Sequence, residues 1–141
     1  MPKMTIAEIE ALMDRGFPSW RDFSQILALG DNDITLAMPF RPDLVRSGGT
    51  ISGPALMALA DTAAYFLTLS QAGPVASAAT ANLDIAFLRR PKPAAIRAVA
   101  TMLRLGRRLS VSRVDMLSGG DLVAHATVTY ALPPQDRLPA D

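Results

Sequence analysis

A chain of 141 residues that is 50% hydrophobic has the usual size of one domain and enough apolar surface to bury a core, which excludes a disordered polymer. Without cysteine there is no disulfide, thiolate metal site or cysteine nucleophile, and the lone His125 leaves no imidazole pair for zinc. A net charge of +1 names no partner by itself.

In chain order, the opening MPKMTIAEIEALMDRGFPSW has acids and no apolar run, so it reads as part of a soluble, cytoplasmic protein rather than a secretory signal. Thr5 to Arg15 reads as a short helix. Thr5 suits the N-cap, Glu8 three residues on completes a capping box, and Ile9, Leu12 and Met13 make an apolar stripe. Gly16 and Pro18 end it. Phe23 to Leu29 and Ile34 to Phe40 read as strands joined by GDND, with Ile34, Leu36, Met38 and Phe40 on one face. A loop, RPDLVRSGGT, leads to a helix that starts at Ser52 or Gly53, has Pro54 in its first turn and runs to about Gln71. After Gly73-Pro74 only strand signals follow: Ser77 to Leu88, Ile96 to Leu105, Leu109 to Leu117 and Leu122 to Leu132. The last two connections, GRR and SGGD, suit hairpins. The order implies an α+β fold in one domain, residues 1–141, with a mainly antiparallel sheet. Residues 1–20 lead in and 133–141 form a frayed tail.

The long helix is apolar almost all round, yet it is too short and too polar inside, with Asp61, Thr62 and Thr68, to cross a membrane. It must lie against the sheet. Asp61 is then costly, because an ionised carboxylate away from water needs a partner. The positions three and four residues away are Met57, Ala58, Ala64 and Tyr65, so no cation is supplied locally. Asp61 therefore meets an arginine from elsewhere, lies on a wet face, or lines a ligand cavity as a catalytic carboxylate. The glycine-rich RSGGTISGP favours the cavity, since the free N–H groups of a helix start can polarise a carbonyl.

Charge is also unevenly placed. Arg89, Arg90, Lys92, Arg97, Arg104, Arg107, Arg108 and Arg113 stand between Ile85 and Val114 with no acid among them. They read either as a solvated sheet edge or as a site for a phosphate-rich ligand. Only Phe87 lies among them, so the aromatic platform of a nucleic-acid binder is missing.

At this point SGPALMALADTA is similar to the helix signature His-Gly-Gly-x-x-x-x-x-Ala-Asp-x-Ala of hotdog-fold acyl-CoA thioesterases of the phenylacetate-pathway (PaaI-like) type. ANLDIAFLRRP resembles the strand that follows in that family, and GRRLSVSRVDMLSGGDLVAHATVTY resembles its closing hairpin. The resemblance covers Phe23 to Tyr130. It implies a hotdog fold, a curved antiparallel sheet wrapped around one long helix, assembled as a homodimer or homotetramer. It implies hydrolysis of a small or medium acyl-CoA, aromatic groups included, to free acid and coenzyme A, with no separate cofactor and no metal. By the same resemblance Asp61 is the catalytic carboxylate, as base or nucleophile. Gly53 N–H polarises the thioester carbonyl, and Thr80 reaches the site across the dimer interface. Gly49 matches a loop glycine, and Arg89 and Arg90, with Arg107 and Arg108, fall where cations meet the nucleotide of coenzyme A. Tyr65, one turn past Asp61, either packs in the core, the reading that ranks first, or touches the acyl group.

The pattern departs where the family histidine is Ser52, the second glycine is Pro54 and the loop Asn or Gln is Arg46, which replaces one of the lost groups, binds an acidic acyl group or neutralises Asp61. These departures carry a second expectation, an acyl-CoA binding protein without chemistry on the same scaffold. A hydratase ranks below both, because those enzymes generally pair an acid with a histidine and none lies near Asp61. Neither nucleic acid nor membrane is expected as a partner. His125, on the polar register of the last strand, is expected to be exposed or simply hydrogen-bonded.

Overall fold

The computed structural model describes residues 1–134, so nearly all of the expected frayed tail lies outside the described residues. Helix α1 (Ile6–Gly16) begins as its sequence demands. Thr5 Oγ1 accepts from Glu8 N at 3.2 Å, and the Glu8 carboxylate accepts from Thr5 N at 2.9 Å. A single helical turn, α2 (Trp20–Phe23), then occupies the start of the segment read as a strand, and β1 (Gln25–Leu29) is correspondingly shorter. Gly30 N donates to Asp33 O at 2.9 Å, closing the turn into β2 (Asp33–Met38). A 3-10 turn at Pro42–Leu44 precedes α3 (Gly53–Ala72), and β3 (Ala79–Phe87), β4 (Ile96–Leu105), β5 (Leu109–Ser118) and β6 (Asp121–Ala131) complete the order.

The six strands form one sheet in the order β1-β2-β4-β5-β6-β3, with every neighbouring pair antiparallel. Because β2 and β3 lie toward opposite edges, α3 must carry the chain across the sheet. Ser52 caps it, its hydroxyl accepting from Ala55 N at 3.3 Å, and Gly73 ends it at φ +100°, a conformation glycine adopts without a Cβ penalty. The sheet turns Ile34, Leu36, Met38, Ala98, Ala100, Val114, Met116, Ala124, Ala126 and Val128 to the core, all essentially inaccessible. Helix α3 offers Leu59, Ala60, Ala63, Ala64, Phe66 and Leu67 in return. Alanines on both sides allow a close approach of helix to sheet, and each large side chain buried there is worth about 1.5–3 kcal/mol. Phe40, expected to share a face with Ile34, Leu36 and Met38, falls beyond β2 and is exposed.

This is the hotdog arrangement that the resemblance implied. Among the described residues no helix is long and apolar enough to cross a membrane. One strip of α3, comprising Met57, Ala58, Asp61, Thr62 and Tyr65, is turned away from the sheet core and is exposed or half-buried. The functional geometry lies along that strip.

Candidate active site

Among the described residues Asp61 meets no cation. Its Oδ1 accepts from Thr80 Oγ1 at 2.7 Å and from Tyr130 OH at 2.8 Å, and among the described residues no hydrogen bond or ion pair reaches Oδ2. Among the described residues no arginine partners it, contrary to one of the readings of the sequence. Strand register explains the two donors. Thr80 on edge strand β3 is paired directly with Tyr130 on β6, so both hydroxyls arrive at one point beside α3. Thr80 thus reaches Asp61 within its own chain, which corrects the expectation that it would do so only from a partner.

Tyr130 is the residue that sequence reasoning missed. Burial first, and then the neighbouring Asp61 charge, hold its phenol far above the ordinary tyrosine range, so it remains a proton donor at any physiological pH. Its ring stacks on Tyr65 at 5.6 Å between centroids, and Tyr65 OH donates to Ala76 O at 3.0 Å. Burial raises the Tyr65 phenol as well.

Asp61 opens into a cavity of about 950 Å³, with Ala58, Thr62, Tyr65 and Phe66 from α3 and Tyr130 from β6 on one side. Leu12, Met13, Phe17, Trp20 and Phe23 form the other side. The expected substrate contact of Tyr65 is consistent with this placement.

Gly53 stands elsewhere. It lines a second cavity of about 560 Å³ with Arg46, Thr50, Phe87, Arg89 and Arg90. Its N–H, ahead of the helix ladder, has no protein acceptor among the described residues. Eight residues along α3 separate it from Asp61, about 12 Å along the axis. A single chain therefore does not bring the expected donor and the expected base to one cavity. Arg46 does not turn toward Asp61, and its Nε donates to Thr50 Oγ1 at 3.0 Å. Gly49, at φ +80°, closes the same loop by donating to Arg46 O at 2.9 Å. The Ser52 hydroxyl is occupied as the helix cap.

Arg89 and Arg90 extend from the Gly53 cavity into an adjoining one that adds Lys92 and Ser118. Among the described residues none of these cations has an ion-pair partner. Arg107 and Arg108 sit on the β4–β5 turn and line neither cavity, so the structure does not bring them to Arg89 and Arg90. His125 is hydrogen-bonded as expected, its Nδ1 lying 2.7 Å from Asp115 Oδ1 on the outer face of the sheet.

The thioesterase superfamily is matched over residues 48–125, which span both cavities' parts of α3 and all of β3. A protein from Silicibacter sp. TM1040 assigned as a thioesterase has a solved structure that superposes with a TM-score of 0.85 at 32% identity, covering 95% of each chain. A variant of the phenylacetic acid degradation protein PaaI from Thermus thermophilus superposes with a TM-score of 0.72 at 28% identity, over 82% of this chain and 97% of that one. A curated relative from Thermoplasma acidophilum, assigned as an esterase, is 26% identical over 107 residues, 75% of this chain and 80% of its own.

Proposed function

The chain belongs to the thioesterase superfamily, and from that premise we propose that it hydrolyses an acyl-CoA thioester to the free acid and coenzyme A. The observation that carries this reading is the state of Asp61. One carboxylate oxygen is fixed by two hydroxyl donors, no cation among the described residues neutralises it, and the other oxygen is left for chemistry beside a largely apolar cavity. Oδ2 acts as general base. It takes one proton from a water whose oxygen bonds to the thioester carbonyl carbon, and the carbonyl electron pair moves onto oxygen. Collapse re-forms the carbonyl and breaks the carbon–sulfur bond, and the proton held by Asp61 passes to the departing sulfur.

The developing oxyanion needs a donor, and Gly53 N–H is the available one. Its distance from Asp61 points to a second copy. Thr80, beside Asp61, is near the start of β3, whereas Phe87, at its end, packs against Gly53 with its Cζ 3.4 Å from where a Cβ would stand. Among the described residues strand β3 is an edge strand paired only with β6. Antiparallel pairing of its free edge with a copy, centred on Leu83 and Asp84, sets Thr80 of one chain opposite Phe87 of the other. Asp61 of each then approaches Gly53 of its neighbour, and a long exposed edge is covered. Arg46, Arg89, Arg90 and Lys92, around that glycine, suit the phosphates of coenzyme A.

A second reading, an acyl-CoA binder without chemistry, draws on the same separation of Gly53 from Asp61 and on the loss of the family histidine to the helix cap Ser52. Calorimetry with a panel of acyl-CoAs beside a thiol-release assay decides between them. Thiol release at a catalytic rate supports hydrolysis, and tight binding with no thiol released supports the binder.

A further inference from the structure

We infer that the N-terminal helical pair is the acyl gauge of this chain: α1 and α2 wall the Asp61 cavity, Trp20 stops its deep end, and the acyl group it admits is an extended apolar chain. The inference rests on the hydrolase reading for its chemistry and on the structure for its geometry. Leu12, Met13, Phe17, Trp20 and Phe23 all come from residues 12–23, outside the matched segment 48–125. The wall thus lies outside the segment that the family model matches, while the superposed Silicibacter structure covers 95% of this chain.

The lining supplied by residues 12–23 is largely apolar, and its charged members, Arg15 and Asp22, are exposed. Arg41 is taken by Asp43 at 2.6 Å and by Asp22 O at 3.3 Å, and Arg15 is exposed. No buried charge awaits a polar acyl terminus. A volume of about 950 Å³ is at the upper end of ordinary ligand pockets, more than a two- or three-carbon acyl group would fill.

Trp20 is suited to a fixed stop because three side-chain contacts hold it. It is 2% exposed, meets Phe66 edge-on at 5.5 Å, and donates from Nε1 to Asp14 Oδ1 at 2.9 Å. Arg21 binds the same carboxylate at 2.8 and 3.0 Å while its guanidinium lies 4.8 Å from the indole centroid. The segment is thereby clasped to α1 rather than free to swing aside.

The test compares kcat/KM for butanoyl-, octanoyl-, dodecanoyl- and hexadecanoyl-CoA in the parent, in Trp20→Ala and in Leu12→Trp. Opening the stop in Trp20→Ala should raise the long-to-short ratio by about tenfold or more, and filling the wall in Leu12→Trp should lower it by a similar factor. Leu12 is half-buried, so this second variant keeps the test usable if Trp20→Ala fails to fold. Trp20 is also the sole tryptophan, so its emission in Asp61→Asn reports acyl entry without turnover. A change in emission that grows from butanoyl- to dodecanoyl-CoA supports the gauge even if the parent hydrolyses nothing, an outcome that sinks the hydrolase reading alone. Unchanged ratios in both variants, or emission indifferent to acyl length, overturn the gauge.

Discussion

Tyr130 donates its phenolic proton to Asp61 Oδ1 across 2.8 Å, from a strand position directly paired with Thr80, which donates to the same oxygen. The carboxylate is thereby oriented by two hydroxyl groups that stay protonated at neutral pH, leaving Oδ2 as its working oxygen. Tyr130→Phe keeps the ring beside Tyr65 and deletes only the hydroxyl. The expected result is a kcat lowered about tenfold with KM little changed, since a hydrogen bond to a charged group is worth about 1.5–3 kcal/mol. Thr80→Ala should behave alike and Thr80→Ser should retain most of the rate. Losses appearing in KM instead would place both hydroxyls in substrate binding.

A shared site makes a quantitative prediction about mixed chains. Asp61→Asn and Gly53→Val should each be nearly inactive, the second because its side chain crowds Phe87. When the two are unfolded and refolded together, half of the dimers are mixed and each has one intact site, so about a quarter of the parental activity should return. Activity no greater than the sum of the separate variants removes the shared-site arrangement, as does a monomer in sedimentation of the active parent.

The basic cluster should discriminate the carrier, not the acyl group. Replacing Arg89 and Arg90 together by alanine is expected to raise KM for an acyl-CoA about tenfold, with a shallower dependence on salt. The same acyl group on N-acetylcysteamine, which lacks the phosphates, should be hydrolysed by parent and variant with equal kcat/KM. Equal losses on both carriers would assign the arginines to the fold or to the acyl end.

Acid should loosen the N-terminal clasp before it unfolds the sheet. Hydrogen bonds from Arg21 and then Trp20 hold the Asp14 carboxyl below its ordinary value of 3.8. A carboxyl depressed in the folded state contributes its stabilisation above the unfolded value and loses it as pH falls through the folded one. The clasp is thus intact at neutral pH and opens only below 3.8. The group is fully exposed, so the readout is local: Trp20 emission should shift to the red there, and Asp14→Asn should show the shifted emission already at neutral pH. Emission identical in parent and Asp14→Asn at neutral pH would mean that Asp14 does not hold the indole.

The elements were largely legible in the sequence because their signals are local. The capping box of Thr5 and Glu8, the Ser52 cap before Pro54 and the alternation through Ile34, Leu36 and Met38 each depend on neighbours a few residues away. What escaped depends on register between distant segments. Nothing near Tyr130 in sequence announces that β6 will set it opposite Thr80, fifty residues earlier and one strand over. Nor does SWRDF announce α2, a four-residue helix too short for periodicity, whose Trp20 is buried by Phe66 far along the chain. Asp61 could be singled out because a lone acid in an apolar helix is costly. Of the groups that offset the cost, Thr80 was reached only through the family resemblance and Tyr130 not at all, because hydroxyls are common and carry no signature of their own.

The most direct measurement is thiol release from an octanoyl-CoA substrate by Asp61→Asn beside the parent, with circular dichroism and thermal unfolding showing that both fold alike. General-base assistance is typically worth 10²–10⁴-fold, so the account predicts a rate lower by about that factor with substrate binding retained. An Asp61→Asn chain that releases thiol at the parental rate would contradict it.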